Sequence, residues 1–388
     1  MVQYGIDNLL QLQPSWKRAR IGLVTNHAAL TSNGEPVRKA LLDQDFHLTV
    51  LFSPEHGLDV QGADGEAMID GKDNLTGLPV ISLYGDKLAP DAKDLAAIDV
   101  LLFDIPDTGA RFYTYLWTLT HCMEACAKAH KTMVVLDRPN PISGDLHLVE
   151  GPMLDETHCS SFIGRWSMPV RHSCTMGELA RYFNAEKQLH LVLDVIGCTQ
   201  WSREMHQPST GWTFIPTSPA IQDYQAMLFY PGTCFLEATN LHEGRATNNS
   251  FHAVAAPWLD IAWLKESIAK NYPQINCSEI QFKSSTNKYS GDICVGLMFE
   301  VKDILHFLPV QFGLWLIKSI KDHHSEFAWA NYPTAVNPSG GGHLDRLLGI
   351  PNATELFDLP FDDFMQQIQT QCTVAQEWSS RVKPWLLY

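Results

Sequence analysis

The stretch LTVLFSPEHG at residues 48–57 decides how the rest of the chain is read. A short apolar run that stops at a Pro/Gly turn is the pattern of a parallel strand feeding a loop. Open α/β sheets bind their ligands in the crevice beyond the carboxyl ends of the strands. Glu55 therefore falls on the rim of such a crevice, and it is the lead catalytic candidate.

Working outward, residues 19–26 (ARIGLVTN), 78–85 (LPVISLYG), 99–107 (DVLLFDIPD) and 132–140 (TMVVLDRPN) read as further strands. Residues 36–46 and 114–130 carry helical periodicity between them. Strands alternating with helices at this spacing mean βαβ units and a parallel sheet with right-handed crossovers. The first βα turn carries Thr25, Asn26, His27, Ala28 and Ala29 where a dinucleotide fold needs G-x-G-x-x-G. The chain has no P-loop, G-x-S-x-G elbow or H-E-x-x-H motif, so the sheet is Rossmann-like in form only.

The strand ends carry the polar residues. The strand at 47–55 delivers Glu55 and His56. The one at 99–107 delivers Asp104 and Asp107, followed by Arg111, Tyr113 and Tyr115, and the one at 132–140 delivers Asp137, Arg138 and Asn140. Three ends aimed at one rim mark a functional cleft. The acidic cluster has two readings: oxygen ligands for a divalent cation, through Asp104, Asp107 and Asp137, or carboxylates for acid/base work. No compact ligand motif supports the metal, and no cofactor is expected.

Downstream, residues 148–154 (LVEGPML) form a loop that brings Glu150 near the cleft. Thr175 and Glu178 have capping-box spacing ahead of an apolar-periodic helix, with His172 just before it. A second dense motif, YPGTCFLEATNLHEGRATNNSF at 230–251, groups Glu237, Thr239, Asn240, Glu243, Arg245 and Thr247. Carboxylates mixed with Asn, Thr and Arg are what a hydroxyl-rich or acidic ligand requires. Beyond about residue 250 the pattern is of two strands among amphipathic helices, with a Gly-rich turn at 338–346 whose His343, Asp345 and Arg346 are further site candidates. The division is thus a Rossmann-like catalytic domain at 1–250 and a smaller C-terminal α/β domain at 251–388.

A formal net charge of −15 argues against nucleic acid, whose phosphates need a basic surface. No apolar run is long enough to span a membrane, and the opening residues lack the n- and h-regions of a secretion signal. Nine scattered Cys without a CxxC pair read as reduced thiols of a cytoplasmic protein. Nothing in the sequence speaks to oligomeric state.

Taken in order, S-P-E-H-G at 53–57, D-x-x-D-x-G-x-R-F-Y-T-Y at 104–115, L-D-R-P-N-P at 136–141, E-G-P at 150–152, R-H-x-x-T-x-G-E-L-A at 171–180 and Y-P-G-T-C-x-x-E-x-T-N at 230–240 resemble the exo-β-N-acetylmuramidase family of bacterial cell-wall recycling. The resemblance implies a hydrolase that releases terminal N-acetylmuramic acid from the non-reducing end of peptidoglycan-derived glycans. Its relatives are often secreted or periplasmic. It makes Glu55 the first catalytic candidate, followed by Glu237, Glu243 or Glu150. Arg111, Arg138 and Arg245 become candidates for the lactyl carboxylate, and Tyr113, Asn140 and Asn240 for the N-acetyl group and hydroxyls. His56, Asp104, Tyr115, Asp137, His172 and Thr239 complete the expected substrate-binding set. Where the family often has G-R-G-T, this chain has Gly244, Arg245, Ala246 and Thr247, and His242 stands where Ser is common. The alternatives are a non-catalytic binder of cell-wall sugars and a metal-dependent hydrolase using Asp104, Asp107 and Asp137.

Overall fold

The structure, a computed structural model, describes residues 1–62, 66, 68–286, 288–334 and 337–388. Its larger sheet has seven strands: β1 Ile21–Thr25, β2 Leu48–Ser53, β3 Gly71–Lys72, β4 Pro79–Ser82, β5 Val100–Asp104, β6 Thr132–Leu136 and β7 Leu193–Ile196, in the order β3-β4-β2-β1-β5-β6-β7. Every pairing is parallel except β3 with β4. β1 and β5 are buried along their whole length, as parallel strands covered on both faces must be. The expected Rossmann-like sheet is therefore present, and the order places the topological switch between β1 and β5.

A second, antiparallel sheet is built from β8 Ala253–Ala256, β9 Ile275–Lys283 and β10 Ile293–Val301, in the order β8-β10-β9. Helices Ile261–Asn271 and Pro309–His323 accompany it, giving the smaller α/β unit. The residues of the second dense motif do not form an exposed loop. Tyr230–Thr233 close the helix Tyr224–Thr233, Cys234–Ala238 form a 3-10 turn, and Glu237, Thr239, His242 and Glu243 are buried. Gly232 lies where a Cβ would come within 1.8 Å of the Pro309 carbonyl, and the helix Pro309–His323 answers with Gly313, so these two helices cross at backbone contact. One apolar cluster runs through both units, joining Phe103, Phe112 and Trp117 to Phe229, Phe235, Phe312 and Trp378. The two units thus share a common core.

The helix Met176–Glu186 begins with the expected capping box. The Thr175 hydroxyl accepts from the Glu178 amide at 3.2 Å, and the Glu178 carboxylate accepts from the Thr175 amide at 3.0 Å. All nine cysteines are free thiols. Among the described residues no helix is long and apolar enough to cross a membrane.

Candidate active site

β2 ends at Ser53, and the turn that follows places Glu55 and His56 at the mouth of a cleft of about 630 Å³. The segment that follows β5 supplies the facing wall through Phe112, Tyr113 and Thr114, the last at the N-cap of the helix Tyr115–Lys128. The other side is closed by the 230–251 stretch, through Tyr230, Glu237, Arg245 and Phe251, and by Tyr332 and His343 from further along the chain.

The Thr114 hydroxyl donates to Glu55 Oε2 at 2.7 Å. His56 adopts the left-handed conformation (φ +66°) and sets its Nδ1 2.9 Å from the Gly62 carbonyl. A carbonyl only accepts, so Nδ1 carries the proton there. On the far wall Glu237 is held at both oxygens: Arg245 donates to Oε1, and His343 Nε2 lies 3.0 Å from Oε2. Tyr332 stacks on the His343 ring at 4.6 Å, and the Arg245 guanidinium sits over Phe251 at 5.0 Å. Arg245 also reaches Glu243 Oε1 at 3.2 Å, and Lys288 donates to Glu243 Oε2 at 2.9 Å. Burial works against the Glu243 charge, but Lys288 and Arg245 outweigh it and bring its pKa down to about 2.

The expected site residues separate into two groups. Glu55, His56, Tyr113, Glu237, Arg245 and His343 line one cleft, with Glu243 directly behind Arg245 and Arg346 in an adjoining hollow. Most of the others are taken up by the fold. Tyr115 is fully buried and donates to the Thr217 carbonyl at 2.7 Å. Arg111 donates from Nη1 to the carbonyls of Pro152 and Met168 at 2.9 and 2.8 Å, and from Nη2 to that of Leu347 at 2.8 Å. Asn140 closes a local turn through the Ile142 amide and bonds the Cys174 carbonyl. Thr239 bonds Leu236 and Leu241, and Asn240 bonds Glu326 and Ala328, all through main-chain groups.

Glu150 lies at the start of the helix Pro309–His323, where it accepts from the amides of Val310 and Gln311 at 3.3 and 3.1 Å. A carboxylate is favoured at a helix N-terminus. Burial nevertheless raises its pKa to about 7, against Arg171 and the two amides. It does not line the cleft.

The three aspartates of the metal reading have separate partners. Asp104 pairs with Arg138. Asp107 accepts from the Gly109 amide at 3.1 Å, with His172 Nε2 3.3 Å from the same oxygen. Asp137 accepts from the Thr175 hydroxyl, the Gly177 amide and the Tyr388 hydroxyl at 2.7, 2.8 and 2.7 Å. Burial raises the Asp137 pKa to about 6 despite these donors. Among the described residues no group of three or more His, Cys, Asp or Glu side chains is arranged to hold a metal ion. Arg138 and Asp107 face a different cavity, of about 1140 Å³, at the strand ends on the other side of residues 213–217.

Several lining residues escaped the sequence reading. Thr114 lies inside a motif that drew attention for its tyrosines, and its N-cap position was the available signal. Tyr332 and Ile163 come from stretches with no chemical signature.

Residues 21–225 match the family model described as Exo-beta-N-acetylmuramidase NamZ, N-terminal, and residues 228–388 match the corresponding C-terminal model. The chain belongs to the exo-β-N-acetylmuramidase family. It is 34% identical over 397 residues to the peptidoglycan beta-N-acetylmuramidase NamZ of Bacillus subtilis (strain 168), an alignment spanning 100% of this chain and 91% of that relative. Two crystal structures of DUF1343 family proteins from Bacteroides fragilis NCTC 9343 share the fold, with TM-scores of 0.87 and 0.75. Both are 25% identical to this chain and cover 100% of it and 99% of their own length. As an exo-β-N-acetylmuramidase family member, the chain carries six ordered motifs, and the cleft is lined by residues of three of them: Glu55 and His56, then Phe112, Tyr113 and Thr114, then Tyr230, Cys234 and Glu237.

Proposed function

We propose that the chain is an exo-acting glycoside hydrolase that removes terminal N-acetylmuramic acid from the non-reducing end of peptidoglycan-derived glycans. Family membership over the whole chain supports the reaction class. The observation that carries the mechanism is that Glu55, just after β2, and Glu237, in the 3-10 turn Cys234–Ala238, line a single cleft. Glycoside hydrolysis ordinarily places two carboxyl groups about the scissile bond.

In this reading Glu55 is the acid. Thr114 holds its carboxyl group in place, and the proton that this group carries passes to the glycosidic oxygen as the C1–O bond breaks. Glu237, steadied by Arg245 and His343, acts on the other side of the sugar, where positive charge develops at the anomeric carbon and water adds. Tyr113, Tyr230 and Phe251 give the ring an apolar wall.

The test is turnover of a chromogenic N-acetylmuramic acid glycoside by the wild type and by Glu55→Gln. General acid catalysis contributes about 10²–10⁴-fold, so a loss of that size is expected. Near-wild-type turnover by the variant would sink the assignment of Glu55. Tight sugar binding without product release by the wild type would instead make the chain a binding protein.

A further inference from the structure

The cleft does not end at the residues assigned above. It continues into an outer hollow of about 600 Å³, which shares Ile163, Thr334 and His343 with it and is completed by Ser160, Asn337 and Arg346 among others. Arg346 lies three residues after His343 on the helix His343–Leu348, so both side chains project from the same face. We infer that this hollow is a carboxylate-binding subsite, in which Arg346 takes the lactyl carboxylate of the terminal muramic acid. The inference rests on the proposed function and names the residue that would separate muramic acid from plain N-acetylglucosamine.

Available positive charge singles out Arg346. A substrate carboxylate entering a chain of net charge −15 needs a local cation that is not already spent. Arg111 is buried against three main-chain carbonyls. Arg138 is paired with Asp104 and faces the other cavity. Arg245 bridges Glu237 and Glu243. Arg346 is half-buried and, among the described residues, has no carboxylate within ion-pair distance. Its neighbour Asp345 is turned to the amides of Asn352 and Ala353 at 3.0 and 2.8 Å. Among the described residues no Asp or Glu lines the hollow. An arginine so placed offers a planar fork that matches a carboxylate in two hydrogen bonds, and an amide in its place loses the charge and one of the two acceptors.

The experiment compares Arg346→Gln and Arg346→Lys with the wild type on three chromogenic glycosides: N-acetylmuramic acid, its lactyl methylamide, and N-acetylglucosamine. On the free acid Arg346→Gln should raise KM by about tenfold or more, with a smaller effect on kcat, and Arg346→Lys should recover part of the loss. The wild type should treat the amide as poorly as Arg346→Gln treats the acid, and Arg346→Gln should add little further loss on the amide. An unchanged KM on the acid, or an equal rise on acid and amide, would overturn the inference. A rise confined to peptide-bearing glycans would assign Arg346 to a peptide carboxylate and overturn the lactyl reading. Calorimetric binding of free N-acetylmuramic acid and of its amide gives an arm that needs no turnover. A wild type that binds the acid in preference to the amide, with the preference lost in Arg346→Gln, supports the subsite even where the hydrolase reading fails. Equal binding of both by the wild type removes it.

Discussion

Two sets of carboxylates in this protein are almost equally buried and differ in what they are for. Glu55 and Glu237 are 4% and 6% exposed, and Asp137 and Glu150 are 0% and 1% exposed. Burial therefore does not distinguish them; partners and position do. Both oxygens of Asp137 are taken by donors from the helix Met176–Glu186 and from the last residue of the chain. Glu150 spends its oxygens on the start of the helix Pro309–His323. These groups tie elements together across the sheet. Glu55 and Glu237 are instead held by side chains at the wall of an open cleft, where a ligand can approach. A buried carboxylate is a catalytic candidate only once its donors are known to leave it facing a cavity.

That contrast can be broken most sharply by activity. Glu55→Gln should lower kcat by about 10²–10⁴-fold, and Glu237→Gln by about 10²-fold or more, both with melting temperatures near that of the wild type. Parallel turnover and thermal melts would show it, and a large loss of stability in either variant would erase the distinction drawn here. Asp137→Ala should do the reverse. It strands the Thr175 hydroxyl, the Gly177 amide and the Tyr388 hydroxyl without an acceptor, at a cost of about 3–5 kcal/mol in denaturant unfolding. The protein that remains folded should retain most of its kcat.

Glu150 sharpens the comparison through pH. Its folded pKa of about 7 lies above the ordinary glutamate value of 4.5, so the native state holds the extra proton across that interval. Its contribution to stability is full below the lower value and is lost as pH rises towards 7. Glu150→Gln abolishes this titration, and the stability of the wild type relative to the variant should fall by about 1–3 kcal/mol between pH 5 and pH 8. Urea unfolding at the two pH values measures it, and a difference that grows with pH would contradict the assignment.

The smallest effect is expected beside the cleft. Ala246 has φ +62° at the position where the family pattern often has Gly. Left-handed backbone strains an L residue by about 1 kcal/mol, so Ala246→Gly should raise stability by up to that amount. The rise should show as a small increase in melting temperature, and a decrease would mean that the turn is held by the methyl group.

Much of the fold was legible in order. Beyond residue 250, β9 and β10 answer the two strands expected while β8 went unread, and β2, β5 and β6 differ from expectation mainly in stopping before the polar turn that follows them. The Thr175–Glu178 capping box was readable because its chemistry acts over three residues. The 230–251 motif was harder. Its run of polar side chains reads as exposed, yet Glu237, Thr239 and Glu243 are buried because Arg245, His343 and Lys288 arrive to satisfy the carboxylates. Of the three arginines chosen for a substrate carboxylate, Arg111 and Arg138 satisfy the fold's own carbonyls and Asp104, and no spacing in the chain announced it.

The alternation of apolar runs with turns, by itself, determined the parallel sheet and the loop that carries Glu55, since strand period and turn chemistry operate over a handful of neighbouring residues. Only the tertiary structure decided which polar groups at the strand ends remain for a ligand. Arg111 reaches Leu347 across 236 residues, Asp137 meets Tyr388 across 251, and Glu150 meets the amides of Val310 and Gln311 across 160 and 161. A buried polar group must be satisfied by whatever packing brings to it, and packing over such separations follows from the whole core rather than from local sequence.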